Sequence, residues 1–148
     1  MEAPTPPGTP EGTDQPRQRL RFHHISLAAA PESRCEVTVG LEWRGRVLEG
    51  RGTGFDTHHG RVRASAEATL EAAMAGARRR IHLELLGVKA VRAFDGWVVV
   101  ARLGALVGER SLKLLGAASC EDEAALPRAA ALAVLDGTNR VLEREVRG

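Results

Sequence analysis

Ten residues near the middle of the chain, RASAEATLEA (63–72), return 65 positions later as RAAALAVLDG (128–137), matching Arg, three Ala and Leu and answering Glu71 with Asp136. A repeat of this period constrains the fold more than any other feature. Each copy must be a single supersecondary unit, and one such unit cannot bury its apolar side alone. The element order repeats with the letters. At the same offset the first extended segment (19–28) falls on 84–93, and Leu41 falls on Leu106.

Within the first copy the plainest strand is EVTVGLEW (36–43). Val37, Val39, Leu41 and Trp43 share one face, and Glu36, Thr38, Gly40 and Glu42 the other, the pattern of a half-buried antiparallel strand. Arg44-Gly45-Arg46 is a tight turn, and VLEGRGTG (47–54) returns as the partner. Its glycines Gly50, Gly52 and Gly54 weaken a strand unless another backbone passes close by. Asp56 or Thr57 then caps a helix with the stripe Val62, Ala66, Leu70, Ala73, Met74 and Ala77. The second copy follows suit, with strands around Leu83, a turn at Asp95-Gly96, WVVVARLGAL, and RSLKLLGAAS. Its helix follows the acidic run Glu121, Asp122, Glu123 and reaches about Leu142. The expected fold class is α+β: a duplicated βββα unit, antiparallel sheets with two packed helices, the copies spanning about 19–80 and 81–148.

The second helix is apolar around more of its circumference than a surface helix needs. Leu132, Leu135 and Leu142 lie off the main stripe, and Gly137 beside Ala130 and Ala133 calls for close approach of another backbone. The expectation is that one face meets the sheet and the other a second subunit, giving a homodimer. Residues 1–18 hold five of the seven prolines and no apolar period, so they are expected to be a disordered tail, leaving 19–148 as a single domain.

Aromatics are only 3% of the chain and tyrosine is absent, so small aliphatic side chains must build the core. A formal net charge of +2 from 21 basic and 19 acidic residues is far from the concentrated basic surface that drives nucleic-acid binding. The most apolar stretch is broken by Arg102 and too short to span a bilayer. Two cysteines, Cys35 and Cys120, and a start without a secretory pattern point to free thiols in the cytoplasm.

The motifs that carry chemistry are weak. The alternate glycines 50, 52 and 54 lie within a strand and depart from the G-x-G-x-x-G order of a dinucleotide loop, and no Gly-Lys-Ser/Thr follows. The pairs His23-His24 and His58-His59 point to opposite faces if they lie on strands, so no metal is expected there. Cys120 opens a helix, yet three acids follow it and disfavour a thiolate. No nucleophile, base and oxyanion site stand together, so neither an enzyme nor a cofactor is expected. Arg17, Arg19 and Arg21, with Arg78, Arg79 and Arg80, offer an alternative reading as a nucleic-acid-associated protein, though no interleaved aromatics stack bases.

The strand and cap EGRGTGFD and the segment ASCEDEAALPRAAALAVLDGTNR resemble the C-terminal regulatory domain of the α-isopropylmalate, homocitrate and citramalate synthases. The resemblance covers about residues 35–142 and implies a pair of βββα units that dimerises and binds a small metabolite. It maps ligand-binding positions to Gly52, Gly54, Asp56, Asp122, Asn139 and Arg140. The chain departs from the family in placing only Phe55 between Gly54 and Asp56. The resulting expectation is a stand-alone, non-catalytic module that binds a small metabolite or a protein partner as a dimer.

Overall fold

A computed structural model describes residues 19–77 and 81–147. The chain runs β1 (Arg21–Ala30), β2 (Arg34–Trp43), β3 (Arg46–Phe55), α1 (His58–Ala77), β4 (Ile81–Ala93), β5 (Gly96–Val107), β6 (Arg110–Cys120), a 3-10 turn (Glu123–Ala125) and α2 (Leu126–Arg147). Strands β1-β2-β3 form one antiparallel sheet and β4-β5-β6 another, each followed by its helix, so the duplicated βββα order holds. The proline-rich segment 1–18 and Arg78, Arg79 and Arg80 lie outside the described residues, as does the side chain of Leu142.

The two helices lie between the two sheets. α1 packs on β2 and β3 and reaches β4; α2 packs on β5 and β6 and reaches β1; the helices also touch each other. This enclosure explains the alanines. Among the described side chains, α1 beyond its first turn is open along positions 63, 67, 71 and 75 and α2 along 128, 132, 136 and 140, while Ala64, Ala66, Ala68, Ala72, Ala130, Ala131 and Ala133 are buried. Small side chains let a helix approach on three sides at once. Leu135 is accordingly 5% exposed, and Leu132 is half-buried. The expectation that Leu135 awaits a second subunit is corrected: Leu135 is covered within the chain.

Glycine decides how close the helices come. A Cβ on Gly50 would strike the Ala68 carbonyl oxygen, one on Gly52 that of Ala64, and one on Gly116 that of Ala133. No side chain larger than hydrogen fits there without moving the helix. Gly137 meets the sheet beneath it, with Leu103 Cδ1 3.2 Å and the Gly116 nitrogen 3.5 Å from the position of an added Cβ. At the same places the helices secure the edge strands: Glu71 accepts from the Arg51 N–H at 2.7 Å, and Asp136 from the Ala117 N–H at 3.1 Å. Edge strands present unpaired amides, and these carboxylates partner one in each unit.

Strand register refines the repeat. Leu41 pairs with Leu48, and Leu103 with Leu114, so the counterpart of Leu41 is Leu103 rather than Leu106. The chain takes four more residues to turn between Leu103 and Leu114 than between Leu41 and Leu48, which is why the constant offset survives in the helices and fails in the strands. Both first strands bulge at matching points, between Phe22 and His24 and between Leu85 and Gly87.

Each helix also clasps the first strand of the other unit. Asn139 of α2 accepts from the Leu20 N–H at 2.9 Å and donates to the Leu20 carbonyl at 3.1 Å. Met74 of α1 holds the matching place, its sulfur 3.5 Å from the Leu83 N–H. The units are therefore interlocked through reciprocal contacts.

Candidate functional site

The first turns of α1 and α2 open at the same end of the molecule. Thr57 caps α1, its hydroxyl accepting from the Gly60 N–H at 3.0 Å, and Asp122 caps the 3-10 turn, accepting from the Ala125 N–H at 3.2 Å. Of the two candidate caps for α1, Thr57 takes the role. Asp56 instead accepts from Arg61 at 2.6 Å. Pro127 stands near the start of α2, where its missing N–H costs nothing.

Between these helix starts and β1 lies an open cleft of about 540 Å³. Ile25 and Leu27 of β1, with Ala124, Ala125 and Pro127, give it apolar walls; His58, Arg61, Glu123 and Arg128 supply charge and hydrogen-bonding groups. The units meet across it, His58 Nδ1 lying 3.6 Å from the Glu123 carboxylate. Arg128 sits with its guanidinium carbon 5.1 Å from the centre of the Phe22 ring, a cation-π contact that holds the side chain in place. Two helix N-termini and two guanidiniums favour a carboxylate, Glu123 favours a cationic group, and the apolar wall accepts a hydrocarbon side chain.

The sequence-mapped positions are distributed over the whole domain. Asp56 and Asp122 flank this cleft through their bond to Arg61 and their cap of the turn before α2. Gly54 lies under the first turn of α1, 2.8 Å from the Gly60 carbonyl oxygen as measured from an added Cβ, and Gly52 lies under its next turn. Asn139 and Arg140 stand several turns along α2 from the cleft. Asn139 is buried in the clasp with Leu20, and Arg140 is exposed, 3.7 Å from Asp136 and 3.5 Å from the Leu115 carbonyl oxygen. Sequence reasoning did not single out His58 with Glu123, Arg61 or Arg128 as one group. Arg128 was visible as the repeat partner of Arg63, but nothing local shows that Arg63 pairs with Glu67 while Arg128 stacks on Phe22.

The pair His23-His24 departs from simple strand alternation, while His58-His59 lies in the first turn of α1. The bulge in β1 lets adjacent residues turn to one side, so the rings of His23 and His24 meet with their Nδ1 atoms 2.9 Å apart, and His24 Nε2 lies 3.5 Å from Glu49. Strand alternation alone could not foresee this. Among the described residues no group of three or more His, Cys, Asp or Glu side chains is placed to hold a metal ion.

Neither thiol is activated. Burial, then the charge of Asp56, pushes the Cys35 thiol up; burial, then Asp122, does the same to Cys120. Among the described residues no helix is long and apolar enough to cross a membrane. No protein-family model matches the chain, and no curated protein matches it.

Proposed function

We propose that the chain is a non-catalytic binding module that acts as a dimer and takes a small carboxylate-bearing metabolite in the cleft between the two helix N-termini. The observation that carries this reading is the convergence at one cleft of Arg61, Arg128 and the two helix starts over the apolar Ile25 and Leu27. That combination suits an amphipathic acid of amino-acid size, with Glu123 available to an ammonium group. The resemblance to a metabolite-sensing regulatory domain supports the same class of ligand. Asp56 and Asp122 act in it by positioning Arg61 and the turn that carries Glu123.

Thermal melting against a panel of amino acids, 2-oxo acids and the matching amines tests it. A rise in Tm with one or more carboxylates, absent with the amines and lost in Arg128→Ala, is the expected result. No response across the panel, or a response untouched by replacing Arg61 and Arg128 together, contradicts the reading. Retardation of RNA or DNA that weakens with salt would favour the nucleic-acid alternative instead.

A further inference from the structure

The bulge in β1 brings His23 and His24 together with their Nδ1 atoms 2.9 Å apart and their ring planes at 80° to one another. At that distance one neutral ring donates and the other accepts, and Glu49 decides which. Its carboxylate lies 3.5 Å from His24 Nε2, so the tautomer protonated there is favoured and His24 Nδ1 carries the lone pair. A carboxylate beside the far nitrogen of an imidazole is the arrangement that orients a metal-binding histidine. Gly40 completes the group. Any side chain at position 40 would collide with the Nδ1 and Cε1 edge of the His24 ring, so the glycine gives that edge its place against the sheet. By register His24, Gly40 and Glu49 form one row across the three strands. The second unit bulges at the same point, yet its row reads Gly87, Arg102 and Leu115, so the fold requires none of these groups.

We propose that His23 and His24 form a site for a divalent late transition metal ion, held by both Nδ1 atoms, with water filling its remaining positions. As the ion enters, the His23 proton passes through solvent from Nδ1 to Nε2; the ring stays neutral and no net proton is released. An ion about 2.1 Å from each nitrogen, with the nitrogens 2.9 Å apart, sees them at an angle of about 90°. That is the angle between neighbouring positions of a square-planar or octahedral ion, and it suits Cu2+ or Ni2+ better than tetrahedral Zn2+. His23 is exposed and His24 half-buried, so the ion reaches the pair from solvent. The expectation that no metal binds at this pair rested on strand alternation, which the bulge suspends. Two protein ligands make an exchangeable site rather than a structural one, and the site is independent of the cleft between the helix starts.

Calorimetric titration of the full, untagged chain with Ni2+ is the test, with melting curves to show that each variant is folded. Saturable binding of one ion, lost in His23→Ala and in His24→Ala and weakened about tenfold in Glu49→Gln, is the expected result. Gly40→Ala, whose added methyl displaces the His24 ring, should weaken binding while leaving the fold intact. His58→Ala and His82→Ala should change nothing. Absence of binding at submillimolar Ni2+, or binding that survives either His23→Ala or His24→Ala, overturns the proposal. Binding indifferent to both Glu49→Gln and Gly40→Ala also contradicts it, because nothing in the fold would then have arranged the pair.

Discussion

The two halves of the molecule share their inner construction and differ in what holds and faces them. In both, a helix rests on glycine in the third strand, a helix carboxylate takes an edge amide, and a bulge sits at the same place in the first strand. The clasps differ: Asn139 makes two hydrogen bonds to Leu20, whereas Met74 offers Leu83 only a thioether, a weak acceptor. The outer faces differ further: Glu36, Thr38 and Glu49 of the first sheet stand where Val98, Val100 and Leu115 stand in the second. What stayed the same is what three-sided burial of a helix demands; what changed is one buried clasp residue and a set of outward-facing strand residues.

The largest effect tests the shared part. Gly50→Val and its counterpart Gly116→Val each drive a side chain into a helix carbonyl, and each should cost more than about 4 kcal/mol or prevent folding. A mild effect in one half alone would break the equivalence of the two packings, as read by urea titration. Next come the clasps. Asn139→Ala leaves the backbone groups of Leu20 without partners and should cost about 3 kcal/mol, whereas Met74→Ala should cost about 1 kcal/mol. Equal losses would show that hydrogen bonding is not what distinguishes the clasps.

The Thr138 hydroxyl is buried and has no hydrogen-bond partner among the described residues, while Ser65 and Thr69 of α1 bond back to carbonyls of their own helix. Thr138→Val should therefore raise stability by about 1 kcal/mol, with a higher Tm, whereas Thr69→Val should gain nothing. The smallest effect belongs to the edge contacts: Glu71→Ala and Asp136→Ala should each cost about 0.5 to 1 kcal/mol, the first slightly more because its bond is shorter.

Much of this architecture was legible in the letters. Alternation in 36–43 placed Val37, Val39, Leu41 and Trp43 in the core, and the alternate glycines announced a neighbouring backbone that proved to be α1. The helix repeat announced the duplication. What was not legible depends on contacts between distant residues. Nothing near Asn139 reveals that its partner is Leu20, 119 residues away. The surplus apolar face of α2 looked like an interface because a lone helix cannot show that its neighbours cover it from within the chain. The cleft likewise escaped notice, since His58 and Arg61 come from one unit and Glu123 and Arg128 from the other.

The clasps and the cleft need both units, so the most direct measurement separates them. Residues 19–80 and 81–148 produced as two chains should each lack a cooperative melting transition alone, because each would expose the helix flank and clasp that the other covers. Mixed in equal amounts, they should regain cooperative melting and the circular dichroism of the intact chain. A cooperative transition in either chain alone would contradict the interlocked account, and with it the claim that the cleft is a joint product of the two units.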